Sequence, residues 1–304
     1  MSPLSGGSGT PVRALDFTTP GVVVVDGEAF PYGMPPRHDL PGAPPVLKSR
    51  VLIEHLHELI DELRPRYIVE LGIHRGGSAA LIDTIARPER LVAIDINAGR
   101  AELLDDFIGT RRRAEVVRPC YGIDQSSSDV LRAVDAEIGD AALDLVIDDA
   151  SHLYGPTRRS FEMLFPRLRE GGVYVIEDWA AQHTFLASIV DNIVRRADGW
   201  QRALEQLCAS IESVDGGLEA AVRGNPTPDL VLAAGAALGR ARVDTPLSRL
   251  VVELTLMAAQ TPDIIRQITV TQGWTQIRRG TGQLDDGDWF AAGTYDLFPS
   301  EPLT

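Results

Sequence analysis

From Tyr67 onward the chain alternates short apolar runs with segments whose apolar residues recur every three or four positions. Tyr67 to Leu71, Leu91 to Ile94, Leu143 to Ile147 and Val173 to Ile176 have the length and apolar content of buried parallel strands. Between them Ala79 to Ile85 reads as a helix. So does Ser160 to Arg169, with Phe161, Leu164, Phe165 and Leu168 on one face and Gly171-Gly172 as its stop. Leu47 to Leu63 is an amphipathic helix ahead of the first core strand, with Val51, Leu52, His55, Leu56, Leu59, Ile60 and Leu63 at helical spacing. Strands alternating with helices predict an α/β fold around a parallel sheet.

The flanks break this rhythm. Met1 to Pro45 is rich in Gly, Pro and Ser. Residues 1–12 are expected to be disordered, Val22 to Val25 to form a strand, and the aromatics of Phe30 to Met34 to bury. Residues 1–45 therefore read as an arm lying on a main domain of residues 46–304, with Tyr32 to His38 either a lid over the active site or else ordinary packing or a subunit contact. From about residue 180 to 263 a helical insertion is expected, with helices at Phe185 to Val194, Trp200 to Ile211, Leu218 to Val222, Leu230 to Leu238 and Leu247 to Ala259. Its start, directly after Asp178, makes His183 either a substrate contact or a packing histidine. Its apolar surface predicts a homo-oligomer, dimer or tetramer. Ile268 to Gln272 and Trp274 to Arg278 read as two closing antiparallel strands. The aromatic residues of Asp285 to Thr304 are expected to pack outside, at an interface or along the pocket.

Composition narrows the partners. The 304 residues are 44% hydrophobic and carry a net charge of −14, which argues against nucleic acid or an anionic membrane and for a small-molecule substrate. Two cysteines, Cys120 and Cys208, make neither a disulfide framework nor a zinc site and suit a reducing cytoplasm. No secretory leader or membrane-spanning run is expected. His55 and His57 read as helix-surface residues, because spacing places no carboxylate partner beside them.

The candidate chemistry lies where the strands stop. Leu143 to Ile147 ends at Asp148-Asp149-Ala150-Ser151-His152, and Val173 to Ile176 ends at Glu177-Asp178. In a βαβ unit both strands run the same way, so Asp149, Glu177 and Asp178 can converge at the carboxyl edge where open α/β sheets bind ligands. Hard oxygen donors without cysteine suit Mg²⁺, and His152 beside them can take a proton. Acidic residues also simply end strands and cap helices, and a loop histidine can be inert. Asp148 either touches a cofactor or ties down its loop. Upstream, the loop Glu70-Leu71-Gly72-Ile73-His74-Arg75-Gly76-Gly77-Ser78 lets the backbone turn tightly and approach a ligand. Asp95, about twenty residues further on, is placed to bond a ribose, so the pair suggests an adenosine-type cofactor.

Glu70-x-Gly72-x-x-x-Gly76, Asp95, Asp-Asp-x-Ser-His and Ile-Glu-Asp together resemble the class I S-adenosylmethionine-dependent methyltransferases. More narrowly the chain is similar to the macrocin and mycinamicin sugar O-methyltransferase group, over about residues 47–180 and again near 264. The resemblance implies a Rossmann-like, mostly parallel seven-stranded sheet. It implies Asp149, Glu177 and Asp178 as Mg²⁺ ligands and His152 as general base. It also implies cofactor contacts at Glu70, Gly72, Gly76, Ser78 and Asp95, with Gln125 or Ser126 at the adenine and Asp148 nearby. Ala150 departs from the pattern, standing where glycine is common and reducing the loop's freedom at positive φ.

The expected activity is S-adenosylmethionine- and Mg²⁺-dependent O-methylation of a small-molecule hydroxyl, on a sugar of a glycosylated natural product in secondary metabolism. Two rivals use the same residues. One is a catechol or phenolic O-methyltransferase; the other is a methyltransferase-fold cyclase or assembly partner that transfers no methyl.

Overall fold

The computed structural model describes residues 13–180, 246–284 and 289–290. Predicted helices between Phe185 and Leu238, together with residues 1–12, His183, Cys208, Tyr295 and Phe298, lie outside the described residues. The chain divides into two compact units, Met1–Asp124 with Leu131–Val146, and Gln125–Val130 with Ile147–Thr304.

The first unit opens with a three-stranded antiparallel sheet of Leu15–Asp16 (β1), Val22–Val25 (β2) and Glu28–Pro31 (β3). Asp26 and Gly27, at φ 53° and 83°, make the tight β2–β3 turn. This arm is fastened to later elements of the same unit: Phe30 is buried 6.3 Å from Phe107, and Arg87 reaches Asp26 at 3.2 Å. Helix α1 (Arg50–Leu63) starts at Ser49, whose hydroxyl accepts the Leu52 N–H at 3.3 Å, and buries Ile53, Leu56, Leu59, Ile60 and Leu63. Three residues later than expected, its start is set by that cap.

Strand β4 (Tyr67–Leu71), helix α2 (Gly77–Ala86), strand β5 (Arg90–Asp95), helix α3 (Glu102–Arg111), strand β6 (Val117–Tyr121) and helix α4 (Asp129–Ile138) come next in alternation. Strand β7 (Leu143–Asp148) is buried at every position, including Asp144. Its carboxylate accepts the backbone N–H groups of Arg66 and Tyr67 at 2.7 and 2.9 Å, which makes an acid tolerable inside a core strand.

In the second unit helix α5 (Tyr154–Leu164) gives way to one 3₁₀ turn, Phe165–Arg167, and then to strand β8 (Leu168–Glu177). The expected helix to Arg169 is corrected here, as is the Gly171-Gly172 stop, which lies inside β8. The cause is Pro166, which has no N–H to donate to the Glu162 carbonyl. That carbonyl instead accepts the Trp289 indole N–H at 3.1 Å, and Trp289 stacks on Phe165 at 5.6 Å while Phe290 meets Phe161 edge-on at 5.9 Å. Helix α6 (Leu247–Gln260) leads into strands β9 (Ile265–Thr271) and β10 (Trp274–Arg279), an antiparallel pair as expected.

Strands β4 to β10 form one sheet in the order β6-β5-β4-β7-β8-β10-β9. The pairs β4–β5 and β5–β6 are parallel, and β10 runs antiparallel to both neighbours. This is the seven-stranded, mostly parallel α/β sheet with helices between its strands that the resemblance implied.

A methyl group at Gly77 would overlap the Pro45 carbonyl and crowd the Val46 nitrogen, both backbone atoms with little room to yield. Gly77→Ala is therefore expected to cost about 1–3 kcal/mol, the usual range for overpacking. Urea unfolding measures it, and an unchanged midpoint would mean that the arm does not press on α2.

Candidate active site

Strand β4 delivers Glu70 and the glycine loop. Glu70 is fully buried, and Gly72, at φ 98°, donates its N–H to the Ile94 carbonyl at 2.8 Å. Gly76, at φ 82°, caps α2, and a side chain there would strike Leu104. The Ser78 hydroxyl is buried in the first turn of α2 with no hydrogen-bond partner among the described residues. Asp95, at the end of β5, does more than face outward. One carboxylate oxygen accepts the Ile73 and His74 N–H groups at 2.8 and 2.9 Å, and the other accepts the Asn97 N–H at 2.8 Å. Asp95 thus shapes the glycine loop, a role sequence reasoning did not give it. Beside it Ile96 is 70% exposed, an apolar face next to a polar clamp.

At the end of β7 two adjacent acids point to different environments. Asp148 is 2% exposed, and its carboxylate accepts the Tyr174 hydroxyl at 2.8 Å, the Ser160 hydroxyl at 2.7 Å and the Gln125 amide N–H at 3.1 Å. Burial pushes its pKa up, and those three donors oppose the shift. Of the two roles open to it, the observed contacts are those of a residue tying down its loop. Gln125 is 6% exposed: its amide nitrogen serves Asp148 and Ser160, and its oxygen accepts the Ser151 N–H at 2.8 Å. The Gln125 side chain is thereby committed inside the protein, whereas its neighbour Ser126 is half-buried. Tyr174 and Ser160 were not anticipated, because nothing in their spacing marks them as partners of Asp148.

Asp149 and His152 are each partly exposed, with the His152 Nε2 3.9 Å from an Asp149 carboxylate oxygen. One ligand atom from each of Asp149, His152 and Asp178 lies within 4.8 Å of the other two. Ligands on an ion with bonds of about 2.0–2.1 Å span roughly 3–4 Å, so a small adjustment suffices for shared coordination. Glu177 stands outside that group: it is 2% exposed at the last position of β8, in register with Trp274.

Two of the three grouped residues hold uncommon backbone. His152 has φ 54° and Asp178 φ 51°, a region that costs an L-residue roughly 1–2 kcal/mol. Such strain collects at functional sites and persists where the surroundings impose it. For Asp178 the surroundings are the β9–β10 turn: its N–H donates to the Gly273 carbonyl at 2.9 Å, and the Trp179 indole N–H donates to the Thr271 carbonyl at 2.8 Å. Ala150, by contrast, is not at positive φ, so the missing glycine costs this loop nothing there.

The donor set fits a hard divalent cation. Two carboxylates held this close repel one another and are stabilised by positive charge between them, and their partial exposure leaves positions for water or substrate oxygens.

The core of the chain also matches known proteins. Residues 69–179 match the model of a methyltransferase domain family. A segment of 73 residues is 40% identical to the L-olivosyl-oleandolide 3-O-methyltransferase of Streptomyces antibioticus, covering 24% of this chain and 18% of that protein. Another, of 59 residues, is 46% identical to the mycinamicin VI 2''-O-methyltransferase of Micromonospora griseorubida, covering 19% of this chain and 14% of that one. The aligned stretches thus span less than a fifth of these relatives' length. Among solved structures, the MycE methyltransferase of the mycinamycin biosynthetic pathway aligns with a TM-score of 0.44 at 19% identity, over 77% of this chain and 52% of that one.

Removing the Tyr174 hydroxyl should leave Asp148 short of a donor in a site closed to solvent. Tyr174→Phe is expected to lower stability by about 1–3 kcal/mol in denaturant unfolding; no loss would mean that the remaining donors suffice. Residues 69–179 of this chain are thus similar to a methyltransferase domain.

Proposed function

We propose that this protein transfers a methyl group from S-adenosylmethionine to a hydroxyl of a small molecule, with Mg²⁺ as cofactor. The acceptor in this reading is a sugar of a glycosylated natural product. The observation that carries the proposal is the convergence of Asp149, His152 and Asp178 within the segment that matches the methyltransferase domain family. The sugar preference is supported by the L-olivosyl-oleandolide 3-O-methyltransferase and the mycinamicin VI 2''-O-methyltransferase, to which short segments are 40% and 46% identical.

Each part of the chain has a role. Gly72 and Gly76 put no side chain at either end of the loop after β4, where the donor's methionine end would lie, Glu70 supports that loop, and Ser78 stands in the first turn of the helix that follows. Asp95 offers its remaining lone pairs to the ribose, Ile96 offers apolar surface to the base, and Ser126 offers a hydroxyl. Asp149 and Asp178 would hold the cation, with Glu177 behind them as a third carboxylate and Asp148 anchoring the loop. A bound divalent cation supplies Lewis acidity, which makes a neighbouring hydroxyl easier to deprotonate.

His152 then serves as the proton acceptor. Mg²⁺ prefers oxygen over imidazole nitrogen, so His152 need not coordinate and its Nε2 stays available for the acceptor's proton. Deprotonation is the step an alcohol needs, because the sulfonium already makes the methyl carbon electrophilic. Holding the oxygen in line with the sulfur–methyl bond supplies much of the remaining acceleration. The chain acts in the cytoplasm as a homo-oligomer in this reading. No described helix is long and apolar enough to cross a membrane.

Four measurements test it. Asp149→Ala is expected to abolish turnover while S-adenosylhomocysteine still binds, seen by calorimetry. His152→Ala should lower kcat by about 10²–10⁴-fold, the usual worth of a positioned base. Excess EDTA should stop the reaction and Mg²⁺ restore it; full activity in EDTA would exclude the metal reading. Turnover of catechols in preference to glycosides would move the acceptor to the phenolic class.

A further inference from the structure

The loop holding Asp149 and His152 is short, partly exposed and strained at His152, yet it has to keep two side chains in one geometry. Within it, Ser151 sends its backbone N–H to the Gln125 amide oxygen at 2.8 Å, and the Ser151 hydroxyl accepts the Leu153 N–H at 3.2 Å. The other end of the Gln125 amide donates to both Asp148 carboxylate oxygens at 3.1 Å and to the Ser160 hydroxyl at 3.1 Å. One side chain therefore grips the residue before Asp149 and the residue after Ala150. It does so from outside the loop, and Asp148 is itself fixed by Tyr174 and Ser160 on β8 and α5.

We propose that Gln125 is a positioning residue for the divalent cation: it clamps Asp148 and Ser151 together so that Asp149 and His152 are presented to Asp178 in a single arrangement. The inference rests on the metal reading above. A primary amide has the required chemistry at this place, since its nitrogen donates on the Asp148 side and its oxygen accepts on the Ser151 side. Reach matters equally, because two residues of chain, Asp149 and Ala150, lie between the two bonded groups. Partners of this kind, which orient ligands without touching the ion, are commonly worth 10–100-fold in metal affinity.

Mn²⁺ serves as the probe, its binding to the full chain followed by electron paramagnetic resonance and calorimetry without turnover. Gln125→Met keeps the volume and removes both hydrogen-bonding ends; Gln125→Asn keeps the amide but shortens the reach. Both are expected to weaken Mn²⁺ binding by roughly 10-fold or more. S-adenosylhomocysteine affinity should stay within about threefold, and the Mg²⁺ concentration for half-maximal activity should rise more than kcat falls. If Gln125→Met does not fold, Gln125→Asn decides between the outcomes. Wild-type Mn²⁺ affinity in a folded Gln125 variant overturns the inference alone. A wild-type chain that lacks a Mn²⁺ site sensitive to Asp149→Asn overturns the metal reading and the inference with it.

Discussion

A carboxylate that cannot reach water sets the terms for the site. Asp148 is buried at the end of a strand with no exposed position, so its negative charge has to be met by donors from the protein. Tyr174 comes from β8, Ser160 from α5 and Gln125 from the segment before α4. Satisfying one anion thus draws three elements to the point where β7 ends. The next residue, Asp149, is released toward the surface from a fixed origin. Without those partners Asp148 would cost the fold several kcal/mol or take up a proton, and the loop after it would lose its anchor.

The second anchor is geometric. Antiparallel β10 brings Gly273 to the end of β8, where its carbonyl accepts the Asp178 N–H and its lack of a side chain leaves space beside the Asp178 carboxylate. A Cβ on Gly273 would stand 3.5 Å from that carboxylate oxygen, and the residue's φ of 72° disfavours any side chain there in the first place. Left-handed backbone occurs at both His152 and Asp178, where Gln125 holds the residue before the one and the β9–β10 turn holds the other. Strain at two neighbouring loops, each held by a separate support, is the pattern of a site in which orientation is maintained against the chain's own preference.

Asp95 repeats the same economy in the first unit. Its carboxylate folds the glycine loop by accepting two of that loop's N–H groups, so the acid expected to meet a ribose also builds the turn beside it. Such double use keeps small sites rigid with few residues. It also means that substitutions at Asp95 and Gln125 alter loop shape as well as any direct contact.

Apolar runs, glycine turns and strand-ending acids were enough to predict the alternating α/β order, the antiparallel closing pair and the acidic loop ends, because burial periodicity and backbone freedom are local properties of the chain. Cap chemistry and Pro166 show where local reading fell short: the end of α5 follows from a missing N–H, and its replacement donor, Trp289, comes from far along the chain. Spacing could bring Asp149, His152 and Asp178 to neighbouring strand ends, but it could not say that Glu177 would be buried outside their group. Those outcomes depend on side-chain direction, which shifts with a single φ angle. What Tyr174, Ser160 and Gln125 do around Asp148 was decided only by tertiary structure, because hydrogen bonds between residues this distant in sequence leave no periodic trace.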